Sequence, residues 1–285
     1  MSLAALALIL VAAVVHATWN LLAKRAGGGA PFLWLFGVVS AVAYAPLALA
    51  VVALQRPRLG PTELGFVAGS GLLHLAYFLL LQHGYRSGDL SLVYPLARGT
   101  GPLLSTVAAV ALLGERPTPL ALTGAFVVVA SVFVLATGSH GLRTAHRAAA
   151  GFGVLCGVTI AGYTLWDKQA VSVLLLPPLA YDWGVGVTCT LLLTPVASRR
   201  RGEVRRLWRE HRREAVGVGL LSPLAYVLVL TALASSPVSA VAPAREISIL
   251  VGTAMGAGLL REGDARRRLA AAAAMVLGVG AIALG

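Results

Sequence analysis

The peptide LSLVYPLAR at residues 90–98 recurs in similar form 148 residues later, as VSAVAPARE at residues 238–246. In each copy a proline follows a serine by four positions: Ser91 precedes Pro95, and Ser239 precedes Pro243. A proline has no backbone N–H, so within a helix it cannot donate to the carbonyl oxygen four residues earlier. Each copy therefore predicts a helix that is kinked and carries a free backbone acceptor.

The two peptides are part of an internal repeat that extends over the whole chain. Adding 147 or 148 to a first-half position reaches a similar residue many times, and rare residue types match in the same order. The matched pairs include His16 with Tyr163, Trp19 with Trp166, Asn20 with Asp167, Pro31 with Pro178, and Glu115 with Glu262. We therefore predict two copies of one unit, at residues 1–141 and 142–285.

The repeat lies in a strongly apolar sequence. Of the 285 residues, 58% are hydrophobic and 12% are charged, whereas soluble domains carry about 25% charged residues. Apolar runs of roughly 20 residues, each enough to cross about 30 Å of hydrocarbon, recur along the chain. We predict an all-α polytopic membrane protein with ten transmembrane helices, at residues 3–23, 31–54, 64–84, 90–113, 120–137, 149–171, 178–197, 215–234, 238–260 and 269–284.

Five spans in each unit is an odd number, so the second copy enters the membrane in the opposite orientation to the first. Inverted repeats of this kind are typical of secondary transporters, where the substrate site lies near the midplane between the two halves. The sequence thus predicts a site between two inverted five-helix repeats.

The formal net charge of +12 reflects membrane topology rather than nucleic-acid binding, because the basic residues occupy short loops between apolar runs. Loops on one side of the predicted membrane hold 17 Lys and Arg residues, and loops on the other side hold four. The positive-inside rule places the first group in the cytoplasm and both termini outside.

Two arginines fall inside predicted spans. Arg98 lies nine residues after Asp89, a rise of roughly 13 Å at about 1.5 Å per residue, and Arg245 is similarly deep. An arginine at that depth costs on the order of 2.5 to 3.5 kcal/mol and normally has a partner. Two interpretations remain open: an internal ion pair of Arg98 with Glu246, or binding of an anionic group of the substrate by Arg98 and Arg245, helped by Glu246.

Polar and aromatic residues recur at helical spacing in other spans. The substrate-binding candidates on these faces are His16, Trp19 and Asn20 in span one, Tyr163, Trp166 and Asp167 in span six, His74 and Tyr77 in span three, and Tyr94 in span four. An aromatic belt at the membrane interface is the alternative interpretation for Trp19 and Trp166. Arginine does not release its proton, so in a proton-coupled transporter Glu246, Asp182 or His74 would carry it.

Catalytic and cofactor motifs are not found. Cys156 and Cys189 lie in apolar runs without metal-ligand spacing, and no HExxH, GxSxG or P-loop motif is present. We therefore predict no enzyme activity, no metal, no cofactor and no nucleic-acid partner. The expected partners are the lipid bilayer and a small-molecule substrate, with proton coupling as an open possibility.

Four peptides resemble the EamA-type branch of the drug/metabolite transporter superfamily. They are HATWNLLAK from His16, YPLARGTGP from Tyr94, LLGER from Leu112 and APARE from Ala242. The resemblance implies ten helices in two inverted repeats, a central cavity, and transport of small metabolites such as amino acids or sugar phosphates. Span one has no carboxylate, unlike the small multidrug relatives in that superfamily.

The sequence therefore favours a secondary transporter in the bacterial plasma (inner) membrane. Two arginines against one glutamate suit a small anionic or zwitterionic metabolite, such as an amino acid, an organic acid, or a phosphate or phosphonate. Two alternatives use the same scaffold: a flippase for a lipid or lipid-linked sugar, and a multidrug exporter.

Overall fold

A computed structural model describes residues 1–27, 29–87, 90–136, 147–257 and 265–285. Within these ranges the chain is helical and contains no β-strand. The helices are α1 (Leu3–Arg25), α2 (Ala30–Gln55), α3 (Pro61–Ser87), α4 (Leu90–Leu113), α5 (Pro119–Ala136), α6 (Arg147–Ser172), α7 (Pro178–Arg199), α8 (Arg201–Ser235), α9 (Val238–Ala244), α10 (Ile247–Ala257) and α11 (Ala265–Leu284).

Six of these helices are long and apolar enough to cross a membrane: α1, α2, α3, α4, α7 and α8. The described parts of α5 and α11 are shorter but also apolar. Large apolar side chains such as Leu47, Leu54 and Leu112 are exposed on the outside of the bundle. Because lipid tails are as apolar as leucine, such a surface is stable in a bilayer. The all-helical, polytopic membrane class predicted from the sequence is confirmed.

The ninth predicted span is divided into two helices. Helix α9 ends at Ala244, one residue after Pro243, and α10 begins at Ile247. Arg245 and Glu246 form the turn between them. The predicted helix distortion is therefore present as a tight turn after Pro243, in which backbone hydrogen bonds span three residues, as in Glu246 to Pro243 and Ser248 to Arg245. Helix α4 continues without interruption past its own proline, and the side chains of Ser91, Tyr94 and Pro95 lie outside the described residues.

The arginine-rich segment before the eighth span is a helix, although the sequence interpretation treated it as a loop. Helix α8 begins at Arg201 and contains one non-helical residue, His211. Arginine, leucine and glutamate are good helix formers, and the ion pairs Arg200–Glu203 and Arg206–Glu210 have helical spacing. The first ten residues of α8 thus form an amphipathic helix that precedes the transmembrane part.

Helices from the two halves of the chain pack against each other. Helix α1 contacts α8, α2 contacts α7, α3 contacts α6, and α5 contacts α11. Small residues permit the closest approach: a Cβ added to Gly124 would lie 2.5 Å from the carbonyl oxygen of Gly278. Because helices of one half pack against helices of the other, a space remains between α1, α2, α3, α7 and α8. The candidate site lies in this space.

Candidate functional site

A cavity of about 750 Å³ occupies the centre of the helix bundle. It reaches from Gly27 and Gly29, in the connection between α1 and α2, to Arg98 and Arg245. Its polar lining is formed by His16, Asn20, Lys24, Ser40, Tyr44, His74, Tyr77, Tyr163, Asp182, Thr190, Ser222, Tyr226 and Ser248, together with the two arginines. The cavity therefore combines a largely apolar wall with these polar side chains, and it lies between helices of both halves.

The two deep arginines surround one carboxylate. Arg98 Nε lies 3.0 Å from Glu246 Oε2, and Arg245 Nε lies 3.8 Å from Glu246 Oε1. Glu246 is fully buried and does not line the cavity, whereas both arginines do. The ion pair of Arg98 with Glu246 is therefore present, and the group of Arg98, Arg245 and Glu246 carries one excess positive charge. The two interpretations of the arginines are compatible with each other.

Arg245 is held by an aromatic wall. Its Nη2 donates to the hydroxyl oxygen of Tyr163 at 3.2 Å, and its guanidinium carbon lies 5.8 Å from the centre of that ring. The Tyr163 ring stacks on His74 at 4.1 Å, and Tyr226 meets His74 edge-on at 5.4 Å. A cation beside an aromatic face gains electrostatic stabilisation without losing its charge. The wall thus orients Arg245 and leaves its charge available to a ligand.

The helix break places the charged groups at this depth. Arg245 follows α9 directly, and Glu246 precedes the first turn of α10, which also carries Ser248. Ser248 Oγ accepts a hydrogen bond from Arg98 Nη2 at 3.2 Å. Two guanidinium groups and one carboxylate thus meet at the turn between α9 and α10.

The predicted polar face of α1 lies in the cavity wall. His16, Trp19 and Asn20 all line the cavity, and the His16 and Trp19 rings are 4.8 Å apart. Across the cavity, Asp182 on α7 also lines it. Within the described parts of the chain, the carboxylate of Asp182 has neither a hydrogen bond nor an ion pair.

The predicted face of α6 is divided between three environments. Tyr163 lines the cavity, whereas Trp166 is 38% exposed on the outside and donates from Nε1 to the carbonyl oxygen of Phe66. Asp167 is fully buried behind the cavity wall. Its Oδ1 accepts hydrogen bonds from Ser70 at 2.6 Å and Tyr181 at 2.7 Å, and its Oδ2 accepts one from Tyr226 at 2.5 Å. Asp167 therefore joins α3, α6, α7 and α8.

The end of the bundle opposite the cavity mouth is held by two charged side chains that the sequence analysis did not assign to a site. Glu115 accepts hydrogen bonds from the backbone N–H groups of Val238 at 2.6 Å and Ser239 at 2.9 Å, at the start of α9. Lys168 donates to the carbonyl oxygens of Leu233 at 2.7 Å and Ser236 at 3.1 Å, at the end of α8. We call this group the α8–α9 clamp.

Glu115 matches Glu262 in the repeat, and this match could have marked Glu115 as a candidate residue. Its contact with α9 could not be read from that match, because the carboxylate comes from a connection over 120 residues earlier in the chain. Carboxylates are favourable at helix N-termini and ammonium groups at C-termini. The clamp therefore satisfies backbone groups on both sides of the turn between α8 and α9.

Comparison with known proteins agrees with this architecture. The model of the EamA-like transporter family matches residues 3–137. A solved crystal structure resembles the chain with a TM-score of 0.75 over 98% of both chains, at 18% sequence identity. This second likeness supports the fold alone. A search of curated proteins finds no match.

A polytopic helical bundle around a central cavity is typical of membrane transporters. Residues 3–137 match the EamA-like transporter family, a branch of the drug/metabolite transporter superfamily. The resemblance is thereby confirmed for the three sequence motifs that lie in this range, whereas APARE from Ala242 lies outside it.

Proposed function

We propose that the chain is a secondary transporter that moves a small anionic or zwitterionic metabolite across the plasma membrane by alternating access. In this proposal the bundle consists of ten spans in two inverted repeats, with α9 and α10 together forming the ninth span. Arg98 and Arg245 bind the anionic group of the substrate. The observation that carries the proposal is the excess guanidinium charge at the wall of the central cavity.

Charge balance supports an anionic group on the substrate. Burying an unpaired cation costs several kcal/mol, whereas Glu246 can neutralise only one of the two guanidinium groups. The planar fork of arginine suits the two oxygens of a carboxylate or phosphate. A cavity of about 750 Å³ has the size typical of small-molecule sites.

The asymmetry of the bundle supports alternating access. The cavity lining includes the α1–α2 connection, whereas none of the described residues in the α4–α5 or α8–α9 connections lines it. The α8–α9 clamp lies at that second end. In the proposed cycle, the clamp opens when the substrate is released on its side of the membrane.

A thermal-shift screen tests the substrate class. The purified protein is heated with amino acids, organic acids, phosphate esters, phosphonates and hydrophobic cations, and each hit is then measured for flux in proteoliposomes. We expect anions or zwitterions to raise the melting temperature. Stabilisation by hydrophobic cations alone would instead indicate a multidrug exporter.

The variant Arg245→Gln tests whether Arg245 binds the ligand found in the screen. It removes the excess charge and leaves the Arg98–Glu246 ion pair intact, so we expect a folded protein that no longer responds to the stabilising ligand. Arg58→Gln removes the same charge from an exposed position outside the cavity and serves as the control. Retention of full ligand response in Arg245→Gln would refute the assigned role.

A further inference from the structure

A second concave site lies on the surface of the amphipathic part of α8. It is a groove of about 590 Å³ lined by Leu35 of α2 and by Val204, Arg205, Trp208 and Arg209 of α8. Trp208 is 43% exposed, although the neighbouring Leu207 is buried against Ala26 and Phe32 at the α1–α2 corner. The groove is therefore separate from the central cavity and lies at one end of the transmembrane bundle.

Acidic side chains compensate only some of the arginines in this segment. Arg200 and Arg206 form ion pairs with Glu203 and Glu210, at 3.8 and 3.9 Å. Within the described residues, no acidic side chain pairs with the two arginines of the groove, Arg205 and Arg209. Like charges four residues apart on a helix repel each other. An external anion between them would remove this repulsion.

We propose that this groove binds an anionic phospholipid of the surrounding bilayer. Arg205 and Arg209 bind the lipid phosphate, because paired guanidinium groups match its oxygens. Leu35 and Val204 provide an apolar floor for the first part of the acyl chains. Trp208 occupies the position between headgroup and hydrocarbon that tryptophan prefers in membranes.

Charge complementarity identifies the lipid as the occupant. Anionic lipids attract basic segments at the membrane surface by about 1 kcal/mol for each Lys or Arg near the surface. A soluble anion would have the same charge but would make no use of the apolar floor or the exposed indole. Through Leu207 and Phe32 the bound lipid would also anchor the corner beside Gly29, at the mouth of the cavity.

The experiment measures lipid binding by the full-length purified protein in a neutral detergent. Dioctanoyl-phosphatidylglycerol, dioctanoyl-phosphatidylcholine and glycerol phosphate are titrated separately, and the melting temperature is recorded. We expect only the phosphatidylglycerol to stabilise the protein at low concentration. Equal stabilisation by the phosphatidylcholine, or by glycerol phosphate without acyl chains, would overturn the proposal.

Two double variants, each of which removes two positive charges, test whether the lipid binds in the groove. Arg205→Gln with Arg209→Gln should weaken phosphatidylglycerol binding by roughly 25-fold, from two surface charges. Arg206→Gln with Arg213→Gln removes the same charge from other positions of the segment and should bind nearly as well as the unaltered protein. Equal weakening in both would show general charge attraction and refute a specific groove. Trp208→Ala keeps all charges and should also weaken binding, whereas unchanged binding would refute the role of the indole.

Discussion

Glu246 is confined between two guanidinium groups, and this makes it a poor proton carrier. Breaking a buried ion pair by removing one charge is strongly destabilising, by about 3 to 5 kcal/mol. Protonation of Glu246 would remove the negative charge that faces both Arg98 and Arg245. Asp182 lines the cavity and lacks an ion-pair partner among the described residues. We therefore propose Asp182, rather than Glu246, as the residue that would exchange a proton with the cavity.

We accordingly expect Asp182→Asn to abolish substrate accumulation driven by a proton gradient while equilibrium exchange of substrate continues. The carboxamide cannot carry a proton but retains the shape of the side chain. Accumulation and counterflow are measured in proteoliposomes, with the exposed Glu210→Gln as the control. Undiminished accumulation in Asp182→Asn would show that Asp182 does not carry the coupled proton. Glu246→Gln should instead lower the melting temperature sharply.

The sequence pattern predicted buried positions for these charges, and the structure agrees, but the pattern did not identify all of their partners. Counting residues from Asp89 placed Arg98 deep in the bundle, and the proline pattern predicted the distortion beside Arg245. Two repeat registers paired Arg98 with either Arg245 or Glu246, and only side-chain geometry brings all three together. The identity of the wall residues depended on tertiary packing, which one sequence does not specify.

Helical periodicity also fails to predict the environment of each residue on one face of a helix. Tyr163, Trp166 and Asp167 follow the i, i+3, i+4 pattern, but this pattern covers an arc of about 100°. In α6 that arc meets the cavity at Tyr163, the outer surface at Trp166 and neighbouring helices at Asp167. Helical spacing therefore predicts a common side of the helix and not a common environment.

At the scale of elements, the buried carboxylate of Asp167 connects four helices. We expect Asp167→Ala to reduce the free energy of unfolding by about 3 kcal/mol or more, because three buried hydroxyl groups lose their acceptor. Asp167→Asn retains acceptor oxygen and should lose less. Melting temperatures of the purified variants measure the difference. A melting temperature unchanged by the alanine substitution would show that the network does not hold the helices together.

The α8–α9 clamp gives a second prediction at this scale. Glu115→Gln weakens a charged cap on α9, and loss of a cap typically costs about 1 kcal/mol. If the clamp holds one end of the transporter closed, this cost favours the state that is open at that end. A cysteine at position 239, Ser239→Cys, should then react faster with a thiol reagent than in the variant with intact Glu115.

The matched control is Glu63→Gln, which alters another carboxylate that accepts a backbone hydrogen bond at a helix start. It should leave the reaction rate at position 239 unchanged. A lower melting temperature in Glu115→Gln without faster labelling would show that the clamp stabilises α9 but does not control access.

For the whole molecule, charge and packing together predict the orientation in the membrane. Leu207, in the arginine-rich part of α8, packs with Ala26 and Phe32 at the α1–α2 corner, so these arginines lie at the same end as the cavity mouth. The positive-inside rule assigns that end to the cytoplasm. The described conformation would then be open to the cytoplasm, with the clamp on the outer side.

Single cysteines test this orientation in intact cells, in a background with Cys156→Ala and Cys189→Ser. Gly202→Cys lies in the arginine-rich helix with open space around its Cβ, and Arg58→Cys is exposed in the connection between α2 and α3. Because a membrane-impermeant thiol reagent reaches only the outer face, we expect it to label position 58 in intact cells and position 202 only after permeabilisation. The opposite result would place the cavity mouth outside and both termini in the cytoplasm, while the cavity and its two arginines would keep their geometry.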